Sequence, residues 1–232
     1  MQIYNYKNIY DLQDKVFDIV FSFNNSFYLT GGTCLSRFYW EKRYSDDLDF
    51  FTDSTSLFGI NVREILNALR QRNDIENIVE SRDFIRIKVN SILQIDFVND
   101  RVPRYKEIII LKNNYRIDNV ENILCNKITA VLGRDNPKDI FDIYLIARFH
   151  EFTWSDILLA SRKKMHFNNE DLVFRLKTFP VNLLENLKLF DENFMSSFSN
   201  DFKVLIEDVI NEGKNRLVKE VPPLYRNFSD KT

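Results

Sequence analysis

The stretch Tyr28–Thr52, YLTGGTCLSRFYWEKRYSDDLDFFT, sets a diglycine between an apolar strand-like run and a helix-like run, then alternates carboxylates with apolar residues. Gly31 and Gly32 are adjacent in a chain with only five glycines, so the pair marks a tight turn or a close backbone approach. Ser45, Asp47 and Asp49 follow at intervals of two. On a β-strand that spacing sends their side chains to one face and Leu48 and Phe50 to the other. Asp46 has the opposite parity and is expected to face solvent.

Two carboxylates held this close repel each other. The arrangement becomes favourable when a hard divalent cation such as Mg²⁺ or Mn²⁺ takes them as oxygen ligands; the plain alternative is an acidic strand edge in water. A further carboxylate, Asp96, stands inside the apolar run ILQIDFV. Strand parity groups it with Gln94 and Ile92, opposite Ile95 and Phe97. Buried there, it needs a positive partner to offset desolvation: a cation in the same site, or Arg86 or Lys88 from an adjacent strand. The diglycine turn adds backbone N–H groups at a helix start, where anionic oxygens bind, and Thr33 adds a hydroxyl. A diglycine alone signals a turn. Joined to Ser45, Asp47, Asp49 and Asp96, it describes a place for a metal-bound triphosphate.

The rest of the chain frames this segment. Its 232 residues are 44% hydrophobic, with 21 phenylalanines, enough to bury one large or two small cores. The net charge of −2 gives no bulk attraction to nucleic acid. Local clusters at Arg162, Lys163 and Lys164 and at Lys214, Arg216 and Lys219 read as solvated helix faces or as a basic surface. No apolar run reaches bilayer length and the N-terminal segment lacks signal-peptide regions, so no membrane association and a cytoplasmic location are expected. Cys34 and Cys125 lie far apart in apolar contexts and are expected to be buried thiols. His150 and His166 have no neighbouring catalytic motif and are expected at the surface or at helix ends. Phe149, Phe152, Trp154, Phe167 and Phe174 are expected in the core.

Periodicity changes character near residue 118. Ahead of it, helices are predicted over 11–23, 33–40 and 61–71, and strands over 27–29, 47–52, 77–80, 84–89, 92–98, 107–111 and 115–117. Beyond it the pattern is helical, over 120–132, 137–149, 154–164, 170–179, 181–189 and 198–212, with Asn136 and Pro137 as an N-cap and first-turn proline. The expected architecture is α+β: a mixed sheet flanked by helices in residues 1–118, then a helical bundle in residues 119–232 that contributes to the active site.

In order along the chain, LTGGTCL, RYSDDLDFF, Lys127 within NKITA, and KDIFDIYLI resemble the AbiEii-type toxins of bacterial abortive-infection and toxin–antitoxin systems. These are members of the nucleotidyltransferase superfamily, whose pattern is a GG or GS turn and helix, a D-x-D strand and a third carboxylate on a later strand. The resemblance spans about residues 25–150. It implies Mg-dependent transfer of a nucleoside monophosphate from a triphosphate such as ATP to an acceptor hydroxyl. Ser45 and Asp47 match the family's active-site serine and first aspartate, and Lys127 its later lysine. The late aspartate is Asp139 or Asp142. Asp139 is also explained by stabilisation of a helix N-terminus three residues after Asn136, whereas Asp142 inside IFDIYLI is not, and is preferred.

The roles implied are metal binding by Asp47, Asp49 and Asp96, with Asp96 alternatively activating the attacking hydroxyl. Gly31, Gly32, Thr33 and Ser45 would seat the β and γ phosphates, and Lys127 would supply charge as pyrophosphate leaves. Arg43 would join the phosphate site or form a surface salt bridge. The implied acceptor is RNA, such as a tRNA 3′ end, with a protein or small-molecule hydroxyl as the alternative. A cognate antitoxin is the implied partner, and a non-catalytic nucleotide- or antitoxin-binding module is the competing reading.

Overall fold

The computed structural model describes residues 6–53, 55–102 and 104–218. Two compact units emerge: residues 6–34 with 45–119, and residues 35–44 with 120–218. Asn119 is the last residue of the first unit. The segment Leu35–Tyr44, expected in the sheet unit, belongs to the helical one. Its side chains explain why: the Trp40 ring lies 5.5 Å from that of Phe149, and Arg43 is bonded to Asp142.

The first unit contains α1 (Tyr6–Ser22), β1 (Tyr28–Thr30), α2 (Gly31–Cys34), β2 (Asp47–Asp53), α3 (Phe58–Arg70), β3 (Ile75–Glu80), β4 (Phe84–Val89), β5 (Leu93–Asp100), β6 (Ile109–Ile110) and β7 (Arg116–Ile117). The strands form one mixed sheet in the order β3-β4-β5-β2-β1-β7-β6. β2 runs parallel to β5 and β1 parallel to β7, while the other pairs are antiparallel. One sheet face is apolar by alternation. Leu48, Phe50, Ile85, Ile87, Val89, Leu93, Ile95 and Phe97 are buried, together with the apolar stripes of α1 and α3, which carry Leu12, Val16, Phe17 and Val20 and Val62, Ile65, Leu66 and Leu69. Phe50 and Phe97 stack across β2 and β5 at 5.7 Å. Burying side chains of this size contributes about 1.5–3 kcal/mol each, so this face fixes the register that orients the other.

The second unit contains α4 (Val120–Gly133), α5 (Pro137–Phe149), α6 (Trp154–Lys164), α7 (Asn169–Thr178) and α8 (Phe198–Ile210). The α5 start follows the predicted cap, with the Asn136 side chain accepting from the Lys138 N–H at 3.0 Å behind Pro137. Two predicted helices differ. The run 181–189 forms only a 3₁₀ turn, Val181–Asn186, closed by i→i+3 bonds after Pro180. The run 33–40 is α-helical only to Cys34, after which Leu35–Tyr39 widens to a π turn through Trp40 N–H to Leu35 O, 2.8 Å. A short 3₁₀ turn at Glu192–Met195 had no periodicity to announce it. Cys34 and Cys125 are buried thiols. Trp154 and Phe167 are core residues, but Phe174 is 64% exposed, because α7 turns Leu172 and Leu176 inward instead.

Candidate active site

The diglycine turn and the carboxylate strand lie side by side within the first unit. Gly31 has φ +72°, a conformation that side-chain-bearing residues adopt at a cost. A Cβ at Gly31 would collide with Asp49 Oδ2. The glycine therefore serves both purposes expected of it, a left-handed turn and a close approach, and what approaches is a carboxylate of the D-x-D strand. Thr30, the residue before the turn, is fixed by its hydroxyl donating to Asp118 Oδ2 at 2.6 Å, while the Asp118 N–H bonds to Leu29 O at 2.8 Å.

Hydroxyls tie turn and strand together. The Thr33 hydroxyl hydrogen-bonds the main-chain oxygen of Asp47 and, at 2.8 Å, the Ser45 hydroxyl. Ser45 is held in turn from α1: Gln13 donates to its carbonyl at 3.0 Å, and its N–H reaches the Tyr10 hydroxyl at 3.3 Å. Gly32, Thr33 and Ser45 are buried, whereas Asp47 and Asp49 are half-buried and alternate with buried Leu48 and Phe50. Asp46 is also half-buried. Neither Gln13 nor Asp118 was singled out from sequence. Gln13 did leave a trace, a polar residue beside Leu12 and Val16 on the apolar side of α1.

Asp96 sits directly beside Asp49 in the parallel β2–β5 register and opposite Arg86 in the antiparallel β4–β5 register. Both of its oxygens are occupied by one guanidinium: Arg86 Nε donates to Oδ1 at 2.7 Å and Nη2 to Oδ2 at 2.6 Å. The hydrogen bonds to Asp96, followed by the charges of Asp96, Asp49 and Asp47, hold the Arg86 pKa above its ordinary value against the opposing effect of burial. Of the two side chains expected as partners, Arg86 rather than Lys88 reaches Asp96, and its guanidinium offsets the burial of this carboxylate. Asp47 and Asp49 fit a hard divalent cation by donor chemistry, being two oxygen donors on one accessible strand face. Asp96 as arranged does not. Among the described residues no set of three metal-ligating side chains converges.

The remaining candidates lie within the helical unit and form a network of their own. Arg43 is not a surface residue: its side chain is 3% exposed and grips Asp142 through Nε and Nη2, both at 2.8 Å, with Nη1 on the Tyr44 carbonyl at 3.0 Å. Lys127 Nζ lies 2.8 Å from both Asp139 Oδ1 and Asp142 Oδ2. Asp139 is anchored on its other side by Arg134 Nε at 2.7 Å, so it binds cations rather than capping α5. Burial alone would raise the Asp142 pKa, but the charges of Arg43 and Lys127 and their hydrogen bonds outweigh it and hold the group below the ordinary carboxyl value. For Lys127, burial favours the neutral amine, yet Asp142 and Asp139 overcome both that and Arg43, and its pKa is raised. Lys127 stays charged.

Several peripheral candidates have structural partners. Arg162 pairs with Glu212 at 3.2 Å, and Arg216 with Glu207 and Asp208. Lys219 lies outside the described residues. His150 ends α5 and meets Glu121 at 3.3 Å. Among the described residues no helix is long and apolar enough to cross a membrane.

The chain is 28% identical over 157 residues to an uncharacterized protein of Aquifex aeolicus, covering 66% of this chain and 72% of that one. Among solved structures, JHP933 from Helicobacter pylori aligns with a TM-score of 0.49 at 20% identity over 92% of this chain and 90% of the other. MenT4, a nucleotidyltransferase toxin from Mycobacterium tuberculosis H37Rv, aligns with a TM-score of 0.46 at 13% identity over 75% and 64%. The profile of AbiEii, the nucleotidyl transferase toxin of type IV toxin–antitoxin systems, matches residues 17–221, and the chain belongs to that family.

Proposed function

We propose that this protein transfers a nucleoside monophosphate from a nucleoside triphosphate to an acceptor hydroxyl, with RNA such as a tRNA 3′ end as the acceptor class, and that a cognate antitoxin restrains it. The observation that carries this reading is the packing of the Asp49 carboxylate against Gly31 at φ +72°. A backbone turn able to receive phosphate oxygens is thereby built against a carboxylate strand.

Asp47 and Asp49 are the residues that would hold Mg²⁺ or Mn²⁺; the ion, when bound, neutralises triphosphate charge and polarises the phosphoryl group. Gly31 and Gly32 present backbone to the phosphates, while Thr33 and Ser45 hold turn and strand in register. In the reaction an acceptor oxygen bonds to the α-phosphorus, the α–β phosphoanhydride bond breaks, and pyrophosphate and the hydroxyl proton depart. Lys127, which retains its charge in the Asp139 and Asp142 network, is assigned to stabilising the departing pyrophosphate. Arg43, whose fork is committed to Asp142, is assigned to holding that network rather than to a phosphate.

The test is incubation with each labelled ribonucleoside triphosphate, Mg²⁺ and total RNA, beside an Asp47→Ala/Asp49→Ala variant. Label is expected in RNA with the unmodified chain only. Equal incorporation by both proteins, or binding of nucleotide without pyrophosphate release, would overturn the assignment, the latter favouring a non-catalytic module.

A further inference from the structure

The open face of the sheet carries a charge pattern that the reaction above leaves unused. Cross-strand register places Asp49, Asp96 and Arg86 side by side across β2, β5 and β4, with Asp47, Gln94 and Lys88 forming the next row. Asp96 is 7% exposed, and its two oxygens accept a parallel pair of N–H bonds from Arg86. A carboxylate held this way has its charge matched and its lone pairs directed at the guanidinium, so a metal ion gains little there unless the fork is first broken.

The arginine, by contrast, is not used up. The fork engages Nε and Nη2, while Nη1 makes no hydrogen bond among the described residues. The Arg86 side chain is 36% exposed, and the Phe84 ring lies beneath it, 5.3 Å from its centroid. A guanidinium clamped along one edge and supported on a ring is a pre-oriented donor, and its open edge suits a tetrahedral oxyanion.

We infer that Asp96 is a positioning residue, not a metal ligand, and that it fixes Arg86, two strands from Asp49 in the same row, as a cation that binds a phosphate group of the substrate. Lys88, half-buried in the adjoining row, adds charge on the same side. The phosphate belongs to the triphosphate or to the acceptor strand; nucleotidyl transfer, on which this assignment rests, supplies both.

The experiment compares Asp96→Asn, Arg86→Gln and Arg86→Lys with the unmodified chain, after circular dichroism has confirmed folding. Three probes are titrated separately: Mn²⁺ alone, inorganic pyrophosphate, and a short oligoadenylate. Asp96→Asn is expected to bind Mn²⁺ within about twofold of the unmodified protein, since no ligand is lost. Arg86→Gln is expected to lose about tenfold on one anionic probe, the scale of one charged hydrogen bond, and Arg86→Lys to recover part of it. Loss on pyrophosphate assigns the triphosphate as the source, and loss on oligoadenylate assigns the acceptor. A tenfold loss of Mn²⁺ binding in Asp96→Asn, or unchanged binding of both anions by Arg86→Gln, overturns the inference. Arg86 is half-exposed, so its variants keep the test decisive if Asp96→Asn fails to fold. An Asp47→Asn control separates the two readings: if it leaves Mn²⁺ binding and label transfer untouched, the reaction assignment fails, while the Arg86 result still stands or falls on the anions.

Discussion

Replacing Gly31 with alanine tests the observation on which the site depends. Two costs are built into the position. The first is backbone: an L-residue at φ +72° costs about 1–2 kcal/mol. The second is contact, because the new Cβ meets Asp49 Oδ2, with Asp49 Cγ at 3.4 Å and Cβ at 3.6 Å behind it. Turning the carboxylate aside costs about 1 kcal/mol more if χ1 leaves its rotamer well. The total, about 2–3 kcal/mol, predicts a fall in Tm of roughly 5–10 °C for a chain of this length. Label transfer should fall further than stability does, since the displaced group is a candidate ligand. A cycle with Asp49→Ala separates the costs. Removing the carboxylate leaves only ordinary contact at that point, so the double variant should be more stable than the summed single effects by about 1 kcal/mol. Thermal unfolding followed by circular dichroism reads both quantities. Strict additivity would refute the contact argument, and a Gly31→Ala protein within about 0.5 kcal/mol of the original would refute both.

Other glycines behave oppositely. Gly59 and Gly133 have no atom within 4 Å of an added Cβ and lie in α3 and α4, so alanine there should leave stability unchanged or raise it by up to about 1 kcal/mol each, read as an unchanged or higher Tm. Asp142→Ala removes the bidentate carboxylate from the buried Arg43 and should cost about 3–5 kcal/mol; a urea midpoint shift worth under about 1 kcal/mol would contradict the buried-network reading. The pH dependence follows from the two shift directions. The Asp142 pKa is lowered on folding, so its contribution is present above the unfolded value of about 3.9 and is lost as pH falls through the folded one. The Lys127 pKa is raised, so its contribution is present below about 10.4 and is lost as pH rises through the folded value. Urea midpoints across pH should therefore show both edges, and Asp142→Asn should flatten the acid one.

Local periodicity made much of this legible. β4 and α6 occupy the predicted residues, and the alternation of Asp47, Leu48, Asp49 and Phe50 gives the burial that parity implies. The π turn and the 3₁₀ turn depend on how the backbone closes rather than on where apolar residues fall, and there the helical pattern overreached. Side-chain pairing was less legible still. Arg43 finds Asp142 across 99 residues, and nothing near either residue marks the other. Asp96 is a different case, because burial inside ILQIDFV already demands a positive partner. Between the two side chains that sequence offers, Arg86 and Lys88, the cross-strand register places Arg86 opposite Asp96.

The choice between Asp139 and Asp142 also changes form once geometry is available. Sequence poses it as one functional carboxylate against one structural carboxylate. In the helical unit both bind Lys127 at the same distance, and each is also held by a different arginine, Arg134 for Asp139 and Arg43 for Asp142. Three cations, Arg43, Lys127 and Arg134, thus meet two buried carboxylates. The arginines also divide the cluster by accessibility. Arg43 is enclosed, whereas the Arg134 side chain is 58% exposed. Solvent can therefore replace part of what Arg134 provides but little of what Arg43 provides. Of the two aspartates, Asp142 is accordingly the more firmly fixed, and Arg43 acts on Lys127 through it.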